Sequence, residues 1–198
     1  MDIKSNPLVK KSPHRYGAIP FDQIKQEHFL PAFKYAIEDA EQKLEVIKNN
    51  NENATFEKTS LAMETCTELM GQVSQVYFNL MSAESDNDFK ELAQQISPKL
   101  SAFSNNIHLD SKLFEKVKHL YENMDTENLN EEQKRLVSES YKGFTLNGAL
   151  LNDEDKEKVR KIDEELSKLS PKFSQNTLNA TNEYTYFTED KSELSGIP

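Results

Sequence analysis

Apolar side chains recur at steps of three and four along most of the chain, the spacing that places them on one face of an α-helix. The first stripe runs from Leu30 to Ile47, with Pro31 in the first turn, where proline is tolerated, and asparagine-rich residues 49–53 end it. Thr55 can cap a second helix. Its stripe contains Ala62, Cys66, Leu69, Val73, Val76 and Leu80.

Three further stripes predict a third, fourth and fifth helix. The third opens at Ser85 and Asp86 and contains Pro98, which removes a backbone donor and is expected to kink or split the helix. Asp110 is predicted to cap the fourth helix, and Asn130 with Gln133 forms a capping-box pattern at the start of the fifth. Connecting loops are expected near Asn51, Glu84, Asp110, Asp125 and Asn147.

The sixth predicted helix begins after Asn152 and has an uninterrupted three-four stripe. The stripe contains Val159, Ile162, Leu166, Leu169 and Phe173. We expect it to face the core, so that Leu166→Asp would cost several kcal/mol. Pro171 is expected to kink this helix or to restart it. After Ala180 the residues become aromatic and β-branched, which predicts an extended segment.

These patterns predict an all-α fold, an elongated lobe of about six helices that are mostly antiparallel neighbours. Residues 1–21 are predicted to form an extended N-terminal arm, because Pro7, Pro13 and Pro20 interrupt it. Residues 22–182 form the predicted helical lobe and residues 183–198 a short extended segment. Tyr16 and His28 are expected to make structural contacts of the arm, packing against the first helix.

Composition supports the helical fold and excludes several partners. Five glycines and seven prolines supply little turn material for an all-β fold. The net charge of -10 disfavours nucleic acid and anionic membranes, because phosphate contacts need clustered lysine and arginine. No apolar run approaches the roughly 18 residues that span a bilayer. Residues 1–7 lack a secretory leader, so we expect a cytoplasmic location, or a periplasmic one if a leader was removed.

The four histidines of the chain form no recognisable catalytic motif. None is followed by glutamate, so the HExxH zinc motif is absent. Glu115, His119 and Glu122 share a helix face, but a solvated polar face explains them better because no second element supplies ligands. Cys66 is alone and is predicted to be a buried small apolar residue. We therefore nominate no catalytic, cofactor-binding or metal-ligating residue in this chain.

Three stretches carry a resemblance to a known family. They are Asn6-Pro7-Leu8 with YGAIPFDQI (16–24) and HFLPAF (28–33), then GALLNDEDKEKVRKIDEELSKLSPKFSQNTLNAT (148–181), and finally ELSGIP (193–198). In order and spacing they resemble the start of the M3 family of zinc oligopeptidases, in particular its bacterial peptidyl-dipeptidase branch and next its oligopeptidase A branch.

The resemblance implies a part of a larger enzyme. Family members continue well beyond the position of ELSGIP, and their HExxH helix and third zinc-ligand glutamate lie in that later part. It implies that zinc belongs to the full-length enzyme, not to this chain. The implied partners are the C-terminal catalytic region of the same protein and short peptides, which enter a channel with this lobe as one wall. An unusually large apolar patch is then expected where the catalytic region packs. The alternative is a free-standing helical scaffold that binds another protein through its apolar stripes.

Overall fold

A computed structural model describes residues 2–83 and 86–196, apart from the side chain of Asn87. Within these ranges the regular structure is helical and contains no strand, so the all-α prediction is confirmed. The α-helices are α1 Phe29–Asn49, α2 Ala62–Cys66, α3 Glu68–Ala83, α4 Asn87–His108, α5 Ser111–Asn123, α6 Glu131–Leu146 and α7 Asp153–Glu183. None of the described helices is both long enough and apolar enough to cross a membrane.

The second predicted helix is divided into three pieces. A π-helical turn, Glu57–Leu61, precedes α2, and α2 is separated from α3 by Thr67, whose φ of -96° and ψ of 1° lie outside the helical range. The predicted cap is confirmed, because the Thr55 hydroxyl accepts a hydrogen bond from the backbone N–H of Lys58 at 3.3 Å. A three-four pattern locates the helical face but does not reveal a one-residue break in it.

The other predicted helix starts are also confirmed by their hydrogen bonds. Asp110 Oδ1 accepts two backbone N–H groups at the start of α5, at 2.8 and 2.9 Å. Asn130 and Gln133 exchange reciprocal bonds of 2.9 and 3.0 Å at the start of α6. Asp86 caps α4, whereas the predicted cap residue Ser85 and the predicted loop at Glu84 lie outside the described residues. Local sequence therefore determines where these helices begin.

The prolines inside α4 and α7 do not divide their helices. Pro98 lies within α4 and Pro171 within α7, and each helix is continuous across its proline. Of the two outcomes expected at each proline, a split of the third helix and a restart of the sixth are therefore excluded, and the kinks stay predictions. Proline does remove one N–H donor, however, so each helix contains a carbonyl that has lost its usual partner.

The first core cluster joins α1, α3 and α4. The Tyr77 ring lies 5.2 Å from Phe29, 5.8 Å from Phe33 and 4.9 Å from Phe89, measured between ring centroids. Its hydroxyl donates to the Phe89 carbonyl at 2.8 Å. The start of α1 thus meets the end of α3, which makes these two helices antiparallel, as predicted.

The second cluster joins the later half of α1 to α2, α4, α5 and α6. Its buried residues include Leu44, Phe103, Phe114 and Phe144. Cys66 is also buried here, and desolvation raises the pKa of its thiol to about 11. The prediction that Cys66 is a small apolar core residue is confirmed. A smaller third cluster contains Phe56, Leu120 and Val137.

Residues 2–28 are held on the lobe by Asn6, Leu8 and His28. Leu8 is buried in the first cluster, and buried Asn6 donates from Nδ2 to the His28 carbonyl at 2.8 Å. His28 Nδ1 accepts from the backbone N–H of Lys25 at 3.0 Å, so His28 has the structural role that the sequence predicts. The prediction for Tyr16 is wrong. This ring is 89% exposed and lies against the Arg15 guanidinium rather than against α1.

A tight turn connects α6 to α7 at the predicted break. Gly148 has a φ of +96°, and a Cβ at this position would lie 3.0 Å from Leu151 Cδ1 and 3.2 Å from Leu109 Cδ2. Both the backbone conformation and the available space therefore favour glycine. The turn brings α7 back along α4, and these two helices run antiparallel because Arg160 bonds to Asn106 while Asp163 bonds to Ser101.

Candidate functional site

The face of α7 that meets α4 is polar. Its buried residue is Lys156, whose Nζ donates to the Ser111 hydroxyl at 2.9 Å. One turn further, Arg160 Nη1 donates to Asn106 Oδ1 at 3.1 Å, and the Ser101 hydroxyl donates to the Asp163 carbonyl at 3.3 Å. Helix α7 is thus attached to the lobe by hydrogen bonds rather than by an apolar stripe.

Four apolar residues of α7 lie exposed on a second face of the helix, which we name the outer face. It consists of Ile162, Leu166, Leu169 and Phe173, which are 57%, 52%, 53% and 73% exposed. The prediction that this stripe faces the core is wrong, since Val159 alone among its five residues is half-buried. The reason is that the α4 side chains facing α7, such as Ser97 and Ser101, are polar, while the apolar side chains of α4 pack on α1 and α3.

A groove of about 720 Å³ lies between α3, α4 and the later half of α7, and we name it the α4–α7 groove. Apolar side chains of α3 and α7 contribute Phe78, Met81 and Leu178 to its lining. Half of its lining residues carry amides or hydroxyls, namely Gln94, Ser97, Ser167, Ser170, Ser174, Gln175 and Asn179, and the charged residues Lys90 and Glu91 also line it. The volume lies within the roughly 300–1,000 Å³ that is usual for ligand pockets.

Two of the groove residues lie four positions before a helix-interior proline. Pro98 removes the N–H that the carbonyl of Gln94 would otherwise accept, and Pro171 does the same for the carbonyl of Ser167. Gln94 and Ser167 both line the groove. The sequence alone does not show that α4 and α7 are neighbours, so it did not predict this groove.

The segment after α7 is exposed and has no regular strand structure. Tyr184 and Phe187 are 74% and 80% exposed. The Tyr186 hydroxyl donates to Glu193 Oε2 at 2.8 Å, and hydrogen bonds from Thr188 and Tyr186 lower the pKa of the Glu193 carboxyl. Of ELSGIP, residues 197 and 198 lie outside the described residues. The outer face of α7 thus continues into further exposed aromatic rings.

Glu115, His119 and Glu122 do not form a metal site. Glu115 and His119 line a surface pocket that also contains Lys112 and Lys116, whose positive charges oppose a cation, and Glu122 pairs with Lys118 at 3.8 Å. Across residues 2–83 and 86–196, no group of three or more His, Cys, Asp and Glu side chains is arranged to hold a metal ion. The residues present here do not fit the zinc site of an HExxH peptidase.

Comparison with known proteins identifies the family. The sequence profile of the neurolysin/thimet oligopeptidase N-terminal domain matches residues 33–156, more than half of the chain. The chain belongs to this family. The resemblance to M3 zinc oligopeptidases stated from the sequence is thereby confirmed. The matched part covers α1 to α6 and the first residues of α7.

Individual relatives extend this match over almost the whole chain. The dipeptidyl carboxypeptidase of Salmonella typhimurium is 31% identical over 98% of this chain, and that of Escherichia coli is 30% identical over 97%. Oligopeptidase A of Escherichia coli is 27% identical over 98% of this chain. The chain spans only 29%, 28% and 28% of the length of these three relatives, so most of each relative lies outside the aligned part.

Proposed function

We propose that this chain is the N-terminal helical part of a zinc-dependent oligopeptidase or peptidyl-dipeptidase, and that it forms one wall of the peptide-binding channel. Membership of the N-terminal domain family supports this, as do the relatives named dipeptidyl carboxypeptidase and oligopeptidase A, of which the chain spans less than a third. The proposed partners are the catalytic region of the same protein and short peptides, and residues 183–198 lead into that region.

The α4–α7 groove is the observation that carries the proposed wall role. Between Ser167 and Asn179 its α7 wall extends about 18 Å, at about 1.5 Å per residue. An extended peptide rises about 3.3 Å per residue, so roughly five residues fit along this length. The groove therefore has the length of a short peptide segment.

The groove chemistry suits a peptide main chain of any sequence. Amide side chains such as Gln94 and Gln175 both donate and accept, and serine hydroxyls do the same. Pro98 and Pro171 remove the helical donors of the Gln94 and Ser167 carbonyls, and we propose these carbonyls as further acceptors for peptide N–H groups. Lys90 and Glu91 also line the groove, so a charged peptide side chain of either sign can be paired there, while Phe78 and Met81 offer apolar contact.

The chain itself is proposed to be non-catalytic. Catalysis by the M3 family requires zinc, and we propose that the catalytic region supplies every zinc ligand. His28 and His108 have structural roles in this chain: His28 fixes the arm, and the His108 ring packs on Phe144 at 5.3 Å between centroids. In this arrangement the chain orients the peptide and limits the channel width, and it moves no proton in the reaction.

Two neighbouring glutamines of α4 provide a matched test in a protein extended through the catalytic region. Gln94 lines the groove, whereas Gln95, also exposed, does not. We expect Gln94→Trp to lower kcat/KM for a pentapeptide by about tenfold, because the indole would occupy the groove, and Gln95→Trp to change it by less than about twofold. The 198-residue chain should hydrolyse no peptide and retain no zinc after dialysis. Equal effects of the two substitutions would contradict the wall role, and tightly held zinc in the 198-residue chain would contradict the non-catalytic role.

A free-standing protein-interaction scaffold is the second candidate, and the exposed outer face of α7 favours it. A scaffold would bind a separate protein through this face and would need no catalytic region. The two functions are distinguished by whether the reading frame continues into an HExxH sequence. A frame that ends without one would favour the scaffold.

A further inference from the structure

We infer that the outer face of α7 is the surface against which a helix of the catalytic region of the same polypeptide packs. This inference rests on the proposed function, because it takes the catalytic region as the partner. It adds which face of the lobe meets that region and what kind of element covers it. The α4–α7 groove then remains open on a different face of the same helix.

The spacing of the outer face is that of a helix–helix seam. Ile162, Leu166, Leu169 and Phe173 follow one another at steps of four, three and four, so they form one continuous ridge on α7, and ridges at i±3 and i±4 are the surfaces that pack into the grooves of a second helix. The stripe extends about 16 Å along the helix axis, roughly three turns. A partner helix of ordinary length can therefore cover all four side chains.

Helix α7 cannot bury this stripe by rotating on the lobe. Its inner face is fixed by the Lys156–Ser111, Arg160–Asn106 and Asp163–Ser101 hydrogen bonds, which rotation would break. Rotation would also place the apolar stripe against the serines of α4. The four side chains therefore stay exposed on the described lobe, and contiguous exposed apolar surface is a mark of interaction sites.

The same polypeptide is favoured over a second copy of the chain. In the relatives, most of the polypeptide lies outside the part that this chain matches. A partner in the same chain has an effective concentration that reaches the millimolar range for short connections, far above that of a separate molecule. Exposed Tyr184 and Phe187 follow α7 directly, so the apolar surface continues along the chain toward the position of that partner.

Amide hydrogen exchange of residues 160–175 tests the inference in two proteins, the 198-residue chain and a protein extended through the catalytic region. We expect exchange in the extended protein to be slower by at least about tenfold, because a packed helix opens less often. Leu166→Asp should abolish this protection. Lys161→Asp, at an exposed position away from the stripe, should retain it, and this variant is the matched control.

The other outcomes separate the inference from the proposed function. If the extended protein hydrolyses peptides but residues 160–175 gain no protection, or if both aspartate variants behave alike, the inference is overturned and the proposed function stands. If the 198-residue chain sediments as a dimer that Leu166→Asp dissociates, the occupant is a second copy and the inference is overturned. An extended protein that binds no zinc and cleaves no peptide overturns both.

Discussion

Helices α1 and α7 carry apolar residues at the same three-four spacing but use them in opposite ways. In α1, Phe29 and Phe33 are fully buried, and Leu44 and Ile47 are 7% exposed. In α7, Phe173 is 73% exposed. The difference comes from the neighbours, because α1 meets apolar side chains of α3 and α4, whereas α7 meets a polar face of α4. Periodicity thus reveals which face of a helix is apolar, while the partner that covers it is a property of the surrounding structure.

The largest expected difference in the free energy of unfolding comes from removing one phenylalanine side chain from each helix. Phe33→Ala should lower the free energy of unfolding of the 198-residue chain by about 3–5 kcal/mol, because it leaves a cavity beside Tyr77. Phe173→Ala should lower it by less than about 0.5 kcal/mol, since that ring already contacts water. Urea unfolding followed by circular dichroism measures both. Similar losses would mean that the outer face of α7 is covered within this chain.

The contrast between α1 and α7 explains which features of the fold could be predicted from the sequence. Helix starts were predictable because a cap such as Asp110 or Asn130 acts on backbone groups only two or three residues away. The burial of Val73 and Leu44 was predictable because their partners belong to the same lobe. The exposure of Leu166 was not, because a stripe shows which helix face is apolar but does not show whether the neighbouring helix offers an apolar surface to cover it.

The site was less predictable than the fold for a related reason. The α4–α7 groove depends on the pairing of Gln94 with residues about 80 positions later, and no local pattern encodes that pairing. The histidines could be assessed from sequence, because a zinc motif needs ligands at fixed helical spacing and that spacing is missing. Tyr16 was predicted wrongly because it lies between prolines and belongs to no repeating apolar pattern that would show whether its side chain is buried.

Helix caps provide the next test, with a smaller expected effect. Asp110 accepts two backbone N–H groups at the start of α5 and also lies 3.4 Å from Lys48 Nζ. Asp110→Ala should therefore cost about 1–2 kcal/mol of unfolding free energy. Asp190 accepts from the Ser192 N–H at 2.9 Å, but it caps only an exposed 3-10 turn after α7. Asp190→Ala should cost less than about 0.5 kcal/mol, and an equal loss would show that the C-terminal segment is as firmly packed as the core.

The smallest expected effect concerns one buried hydroxyl and its pH dependence. Tyr77→Phe removes the hydrogen bond to the Phe89 carbonyl and should cost about 1 kcal/mol at neutral pH, whereas Tyr184→Phe, on an exposed ring, should cost almost nothing. Burial raises the pKa of Tyr77 from its ordinary value of 10.0 to about 12. The folded protein therefore keeps a proton that the unfolded chain loses, so the stabilisation is complete below pH 10 and declines as the pH rises toward 12.

The predicted loss of stability at alkaline pH is checked by measuring the free energy of unfolding against pH for the two variants and the parent chain. The alkaline decline should be shallower in Tyr77→Phe than in the parent, because one of its titrating groups is gone. Tyr184→Phe should follow the parent curve. The buried thiol of Cys66, with a pKa of about 11, contributes a similar decline, but it is present in all three proteins and cancels in the difference. If the unfolding free energies of the parent and of Tyr77→Phe declined in parallel, the Tyr77 hydroxyl would be in contact with water. The contrast between the buried α1–α3 cluster and the exposed aromatic residues after α7 would then be weaker than the structure indicates.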